Sequence, residues 1–266
     1  MHTELTWSDP RVAAELCEVR EQRPLVQCLT NIVVAQFTAN ALLAVGASPA
    51  MVENAKESAE FTAVASAVLI NLGTLSAERE VAMRAAATAA HDHGRPWVFD
   101  PVAVGVLGPR TVFAGELLDL HPSVVRANAS EVMSLAGSEF GGRGVDSLAQ
   151  SDEALGSATV LARARSCVVA VSGLVDYVTD GINVIEVPGG SALLTRITGT
   201  GCALGALVAA FVAVDDDVLF AAAAASAVFK AAGECAARND PGTGTFGVAL
   251  MDALDALTRG ARPRLS

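Results

Sequence analysis

Short apolar runs at 25–28, 67–72, 97–99, 124–125 and 167–171 alternate along this 266-residue chain with segments of helical character. A run of four to six apolar residues with little alternation reads as a strand buried on both faces, which belongs in a mostly parallel sheet. The intervening segments carry helix punctuation. Asp9 and Pro10 open a helix expected over 9–21, and Ser76 caps one over 76–91 that has Glu78 and Glu80 in its first turn. Further helices are expected over 33–45, 57–65, 151–164, 202–214, 217–238 and 247–257, with Ser130 capping a short one that ends near Gly137. Asp176 to Val187 reads as a hairpin turned at Asp180-Gly181. Residues 138–146, with Gly141, Gly142 and Gly144, read as a surface loop. Strand–helix alternation predicts an α/β fold of three layers, with helices on both faces of the sheet.

The length suits one α/β domain over 1–266, large enough to bury about three quarters of its unfolded surface without disulfides. Hydrophobic residues make up 52% but aromatics only 5%, so Ala, Val and Leu must build the core. A net charge of −11, with Lys56 and Lys230 the only lysines, argues against a nucleic-acid partner. Five widely spaced cysteines, with no C-x-x-C pair, argue against a zinc site or disulfide framework and fit a reducing cytosol. The N-terminus lacks a basic segment followed by an apolar one, so no signal peptide is expected. The longest uncharged span, 197–214, opens with a polar glycine turn and falls short of the ~20 apolar residues that cross a bilayer. A soluble, cytoplasmic chain without membrane contact is expected.

Strand ends are where open α/β sheets bind ligands, and the polar residues of this chain gather there. The most distinctive cluster is Thr198-Gly199-Thr200-Gly201-Cys202, which leads straight into an apolar helix. The first turn of a helix presents unpaired N–H groups and the positive end of the dipole, and glycines let a phosphate approach them. The turn is neither a P-loop, since no Gly-Lys-Ser/Thr follows, nor the dinucleotide fingerprint, since Gly199, Gly201 and Gly205 are spaced G-x-G-x-x-x-G. The amides of Thr200 to Cys202 are therefore candidates to hold a transferring phosphoryl group. Arg126 can grip a phosphate with its forked donors or serve a structural ion pair. Ser172-Gly173 can approach a nucleotide or simply end a strand. Asp100 either works as a carboxylate at the ATP site or begins the Asp-Pro turn. Asn128 and Glu131, three apart, offer oxygen ligands to magnesium, or form a capping box. Cys202, at a helix N-terminus where a thiol pKa is lowered, either accepts a proton or shapes the pocket. Asn31 either caps a helix or faces a substrate.

Taken in order, these motifs resemble the hydroxyethylthiazole kinase family of thiamine salvage, which is ribokinase-like. The resemblance rests on Leu29 to Val34, Gly46-Ala47-Ser48-Pro49-Ala50-Met51, Asp100-Pro101-Val102, Arg126 to Glu131, Val171-Ser172-Gly173, Val175 to Gly181, Thr198 to Cys202 and Pro241 to Phe246, and spans roughly 10–258. It implies transfer of the γ-phosphate of ATP, with Mg2+, to the primary hydroxyl of 4-methyl-5-(2-hydroxyethyl)thiazole. It also implies that Met51 and Gly199 line the thiazole site, that Arg126 and Ser172 contact ATP, that Glu131 with Asp100 nearby serves the metal through water, and that the protein is a homotrimer with sites between subunits. Cys202 stands where sugar-kinase relatives carry a proton-accepting Asp. Cys28 and Gln36 depart from asparagines common in the family, and Val102 to Gly105 lacks a glycine usual there. Two other readings stand beside this one: another ribokinase relative, either a kinase of a pyridoxal- or hydroxymethylpyrimidine-type alcohol or an ATP-dependent dehydratase, and a nucleotide-binding sensor without catalysis.

Overall fold

A computed structural model describes residues 2–140 and 151–261. The chain opens with β1 (His2–Glu4) and α1 (Pro10–Gln22), where Asp9 Oδ1 accepts from the Arg11 amide at 2.9 Å and Pro10 takes the first helical position. It continues through β2 (Leu25–Leu29), a 3-10 turn (Ile32–Val34), α2 (Ala35–Ala44), β3 (Ser48–Ala50), α3 (Ser58–Val64), β4 (Ala67–Asn71) and α4 (Ala77–Asp92). Next come β5 (Trp97–Asp100), α5 (Gly108–Leu118), β6 (Val124–Asn128), α6 (Ala129–Phe140), α7 (Leu155–Arg165), β7 (Val168–Ser172), β8 (Asp176–Thr179) and β9 (Val184–Val187). A second 3-10 turn (Ala192–Arg196) leads into α8 (Thr200–Val212), α9 (Val218–Ala237) and α10 (Thr243–Gly260).

Among the described residues nine strands form one sheet in the order β1-β9-β8-β7-β6-β5-β4-β2-β3. Only β8 runs against the others, pairing antiparallel with β7 and β9. Register aligns the chemistry: Asn71 pairs with Asp100 across β4 and β5, and Asn128 with Ser172 across β6 and β7. The strands bury both faces by alternation. Leu69, Val98, Val124 and Ala170 join a core with α1, α2, α8, α9 and α10, while Ile70, Phe99, Val125 and Val171 join a second core with α4, α5, α6 and α7. This is the expected three-layer α/β architecture.

Several details differ from expectation. β1 was not foreseen, because its three exposed residues have no apolar pattern and are strand only by pairing in parallel with β9. α5 begins at Gly108-Pro109 and contains Gly115, which weakens its helical signal. α10 begins at Thr243 rather than 247, since Phe246, Leu250 and Leu254 form a buried stripe that outweighs the poor propensity of Gly244 and Gly247. α6 is capped by Asn128, whose Oδ1 accepts from the Glu131 amide at 3.0 Å, and not by Ser130, whose hydroxyl bonds to Asn128 instead. It also runs past Gly137 to Phe140, and the rest of the expected loop, Gly141, Gly142 and Gly144 included, lies outside the described residues. Among the described residues α9 is long and apolar enough to cross a membrane, but every residue from 220 to 230 is buried in the protein core.

Candidate active site

A cavity of about 610 Å³ opens at the carboxyl ends of β5, β6 and β7 and is closed on one side by the first turn of α8. Gly199 takes φ +92° just ahead of that helix, in the left-handed region, and a Cβ there would lie 2.7 Å from Val34. No side chain caps the helix, and its first intrahelical bond runs from the Ala203 amide to Gly199 O at 2.8 Å. The amides of Thr200, Gly201 and Cys202 thus precede the bonded ladder at the positive end of the dipole. The Thr200 hydroxyl is turned away from them and donates to Leu194 O at 2.8 Å. Gly201 lets Arg126 come close: a Cβ there would stand 2.8 Å from Arg126 Nη1.

Arg126, midway along β6, which continues to Asn128, donates from Nη2 to Ser172 Oγ at 2.7 Å, and its Nη1 lies 3.7 Å from Asp100 Oδ2. Asp100 is 1% exposed and also accepts from Asn71 Nδ2 at 2.7 Å. Burial pushes its carboxyl up to about 7 against the opposing pull of Arg126, with Glu131 adding a further upward push. Asn71 Nδ2 also donates to Cys202 Sγ at 3.2 Å, so one amide links carboxylate and thiol. Burial, then the neighbouring Asp100 charge, raises the Cys202 thiol to about 11. The lowered thiol pKa expected at a helix N-terminus is therefore reversed: removal from water costs the thiolate more than the helix end returns.

Glu131 accepts from the Ala103 amide through Oε1 and from the Asn128 amide through Oε2, both at 3.0 Å. With the reciprocal Asn128–Glu131 bond, this is the capping box weighed above. The same carboxylate lines the cavity beside Asp100 and Asn128. No cluster of three or more His, Cys, Asp or Glu positioned for a metal occurs among the described residues. The oxygen donors of Asp100, Glu131 and Asn128 nevertheless suit a hard cation that takes its remaining ligands from phosphate and water, so the residues present fit magnesium.

The cavity therefore gathers Asp100, Arg126, Asn128, Glu131, Ser172 and Gly173 with Gly199, Thr200, Gly201 and Cys202. Met51 and Asn31 stay outside its lining. Asn31 caps the Ile32–Val34 turn, its Oδ1 accepting from the Val33 amide at 3.0 Å, which realises the capping alternative. Met51, directly after β3, is 38% exposed. Sequence reasoning missed Asn71, Asp176 and Lys230. The signal for Lys230 was present: a lone cation in an alanine-rich apolar helix has to find partners when buried. Asn71 carried a weaker one, as a polar residue ending a fully buried strand.

A sequence model of the hydroxyethylthiazole kinase family matches residues 16–260. A protein named hydroxyethylthiazole kinase from Klebsiella pneumoniae (strain 342) is 56% identical over 236 residues, covering 89% of this chain and 91% of the relative. The solved structure titled as a hydroxyethylthiazole kinase protein from Pyrococcus horikoshii OT3 superposes with a TM-score of 0.86 at 40% identity, covering 92% of this chain and 93% of that one. A ribokinase-like superfamily protein from Enterococcus faecalis V583 shares the fold at a TM-score of 0.67 and 12% identity, covering 96% of both chains.

Proposed function

Because the chain belongs to the hydroxyethylthiazole kinase family, we propose that it phosphorylates the primary hydroxyl of 4-methyl-5-(2-hydroxyethyl)thiazole with ATP, forming the thiazole phosphate used to make thiamine diphosphate. The observation that carries this reading is the convergence of α8's leading amides, Arg126 and the carboxylates of Asp100 and Glu131 on one cavity. Phosphoryl transfer through a loose transition state needs positioning and charge neutralisation more than covalent chemistry. The amides of 200–202 receive the oxygens of the transferring group, where negative charge has to be held. Arg126, fixed by Ser172 and Asp100, presents its guanidinium to the nucleotide phosphates. Asp100 and Glu131 are the residues that would hold magnesium, Glu131 with its main-chain partners in place and water between, while Asn128 orients Glu131. When bound, magnesium supplies charge neutralisation between phosphate oxygens.

A thiol held near 11 is a poor proton acceptor at neutral pH. Cys202 instead shapes the site from its hydrogen bond to Asn71, and with a loose transition state the alcohol proton leaves late, passing to an oxygen of the phosphoryl group being transferred and from there to water. Met51 and the Gly199 region contact the thiazole ring, Met51 from the surface of a neighbouring subunit in a homotrimer. That assembly is supported by the apolar side chains left in water at this end of the sheet, with Ile32 and Val33 each 67% exposed. A mass in solution three times the 27.1 kDa chain tests it. All five cysteines are free, which suits a cytoplasmic enzyme. The deciding experiment is an assay of ATP-dependent phosphate transfer to the thiazole alcohol beside pyridoxal and hydroxymethylpyrimidine. Preference for the thiazole supports the reading. Preference for another alcohol, or binding of ATP without turnover, rejects it.

A further inference from the structure

Lys230 is one of two lysines in the chain and sits in the fully buried stretch of α9, with its side chain 8% exposed. Its ammonium is ringed by oxygen. Nζ donates to Gly173 O at 3.1 Å, Leu174 O at 2.9 Å and Gly189 O at 3.2 Å, and lies 3.2 Å from Asp176 Oδ1. Three main-chain carbonyls and one carboxylate around a single charge are the ligand set of a monovalent cation, here filled by a tethered ammonium. Asp176 is itself held, accepting from the Gly173 amide at 2.9 Å.

The carbonyls belong to two separate walls of the cavity. Gly173-Leu174 follows Ser172, the partner of Arg126. Gly189 and Gly190, with φ of +96° and +93°, begin the other wall, which runs through Leu194, whose carbonyl receives the Thr200 hydroxyl at the phosphate turn. One turn further along α9, Glu234 Oε1 accepts from the Gly190 amide at 2.9 Å. A neutral side chain at 230 would leave three inward-facing carbonyl oxygens and a buried carboxylate without a cation.

We propose that Lys230 is a positioning residue whose ammonium fills a cation cage and so sets the spacing of the two walls that grip the nucleotide. This rests on the nucleotide occupying this cavity, as proposed above. Nucleotide affinity then depends on the charge at this point, while the phosphoryl-transfer step depends on it little.

The test is steady-state kinetics of the full-length enzyme carrying Lys230→Ala or Lys230→Met, with ATP and the thiazole alcohol varied separately. Ammonium, potassium and choline chlorides are compared at equal ionic strength. Both variants are expected to raise KM for ATP about tenfold or more, with kcat and KM for the alcohol within about threefold of the parent. Ammonium or potassium should recover most of that loss in Lys230→Ala, where space for an ion is left, and little in Lys230→Met, where the thioether fills it. Choline should recover nothing. An unchanged KM for ATP, losses shared equally by kcat and the alcohol KM, or no rescue by the small cations would overturn the proposal. If Lys230→Ala does not fold, the neutral pair Lys230→Met with Asp176→Asn keeps the volume without the charges, and an unaltered KM for ATP in that variant also overturns it. A parent enzyme without kinase activity would instead reject the function, which separates the two failures.

Discussion

Replacing Gly201 by alanine should separate stability from turnover, because the two respond to different consequences of one methyl group. Gly201 lies in the first turn of α8, outside the left-handed region, so alanine fits the backbone there without strain. Alanine favours a helix over glycine by up to about 1 kcal/mol, which for a chain of this length raises Tm by roughly 2–4 °C or is spent moving the neighbour. That neighbour is Arg126: the new Cβ would stand 2.8 Å from Nη1, so the guanidinium has to retreat by several tenths of an ångström. Retreat disturbs its 2.7 Å bond to Ser172 and its approach to Asp100, and the methyl partly covers the amides meant for the phosphoryl oxygens. A misplacement of about 1 Å costs on the order of 10²-fold in rate, so this smaller shift should cost roughly tenfold or more. Gly199→Ala is the control with the opposite signature. Its φ of +92° costs a side chain about 1–2 kcal/mol, and its Cβ collides with Val34 at 2.7 Å, so Tm should fall. ADP release would be followed beside calorimetric melting for both variants. A Gly201→Ala enzyme with parental turnover, or one whose activity falls only in step with its folded fraction, would refute the assignment of these amides.

Three further outcomes follow from the same geometry. With its thiol pushed up to about 11, Cys202 should be alkylated by iodoacetamide at pH 7.5 more slowly than a free cysteine, with the rate rising about tenfold per pH unit, and Cys202→Ser should keep turnover within about tenfold; rapid alkylation, followed by mass spectrometry, would contradict this. Asp100 is raised from 3.8 to about 7, so its protonated form contributes stability fully below pH 4 that is lost as pH rises through 7. Asp100→Asn should then abolish turnover yet gain on the parent in urea unfolding at pH 8, by at most roughly 4 kcal/mol less the cost of depriving Arg126 of its partner, with the gain shrinking toward pH 4; a difference that ignores pH would be inconsistent. Glu131→Gln should retain the capping box in weakened form at a cost of about 1 kcal/mol while raising the magnesium needed for half-maximal activity at least about tenfold; an unchanged magnesium dependence would remove Glu131 from the metal site.

What was legible in the sequence was what depends on near neighbours. Asp9 and Ser76 cap their helices through amides two or three residues away, and Asp180 turns the hairpin by accepting from the Ile182 and Asn183 amides. Strand ends were legible because short apolar runs stop at polar residues, and so Asp100, Arg126, Ser172 and residues 199–202 of the glycine turn all proved to border one cavity. What was not legible depends on elements distant in the chain. The acidity of Cys202 followed from burial and from Asp100, a hundred residues away, rather than from its own helix. Lys230 reaches loops 41 and 56 residues upstream, contacts that no local pattern encodes. β1 became a strand only because β9 offered it an edge.

The central claim is that the main-chain amides of 200–202 receive the terminal phosphate of a nucleotide beside an alcohol. A crystal structure with a non-hydrolysable ATP analogue, magnesium and the thiazole alcohol tests it most directly. The predicted result places the terminal phosphoryl oxygens within hydrogen-bond reach of those amides, with Arg126 on the phosphate chain and the hydroxyl in line behind the phosphorus. A triphosphate bound away from the first turn of α8, with those amides facing water, would contradict the account.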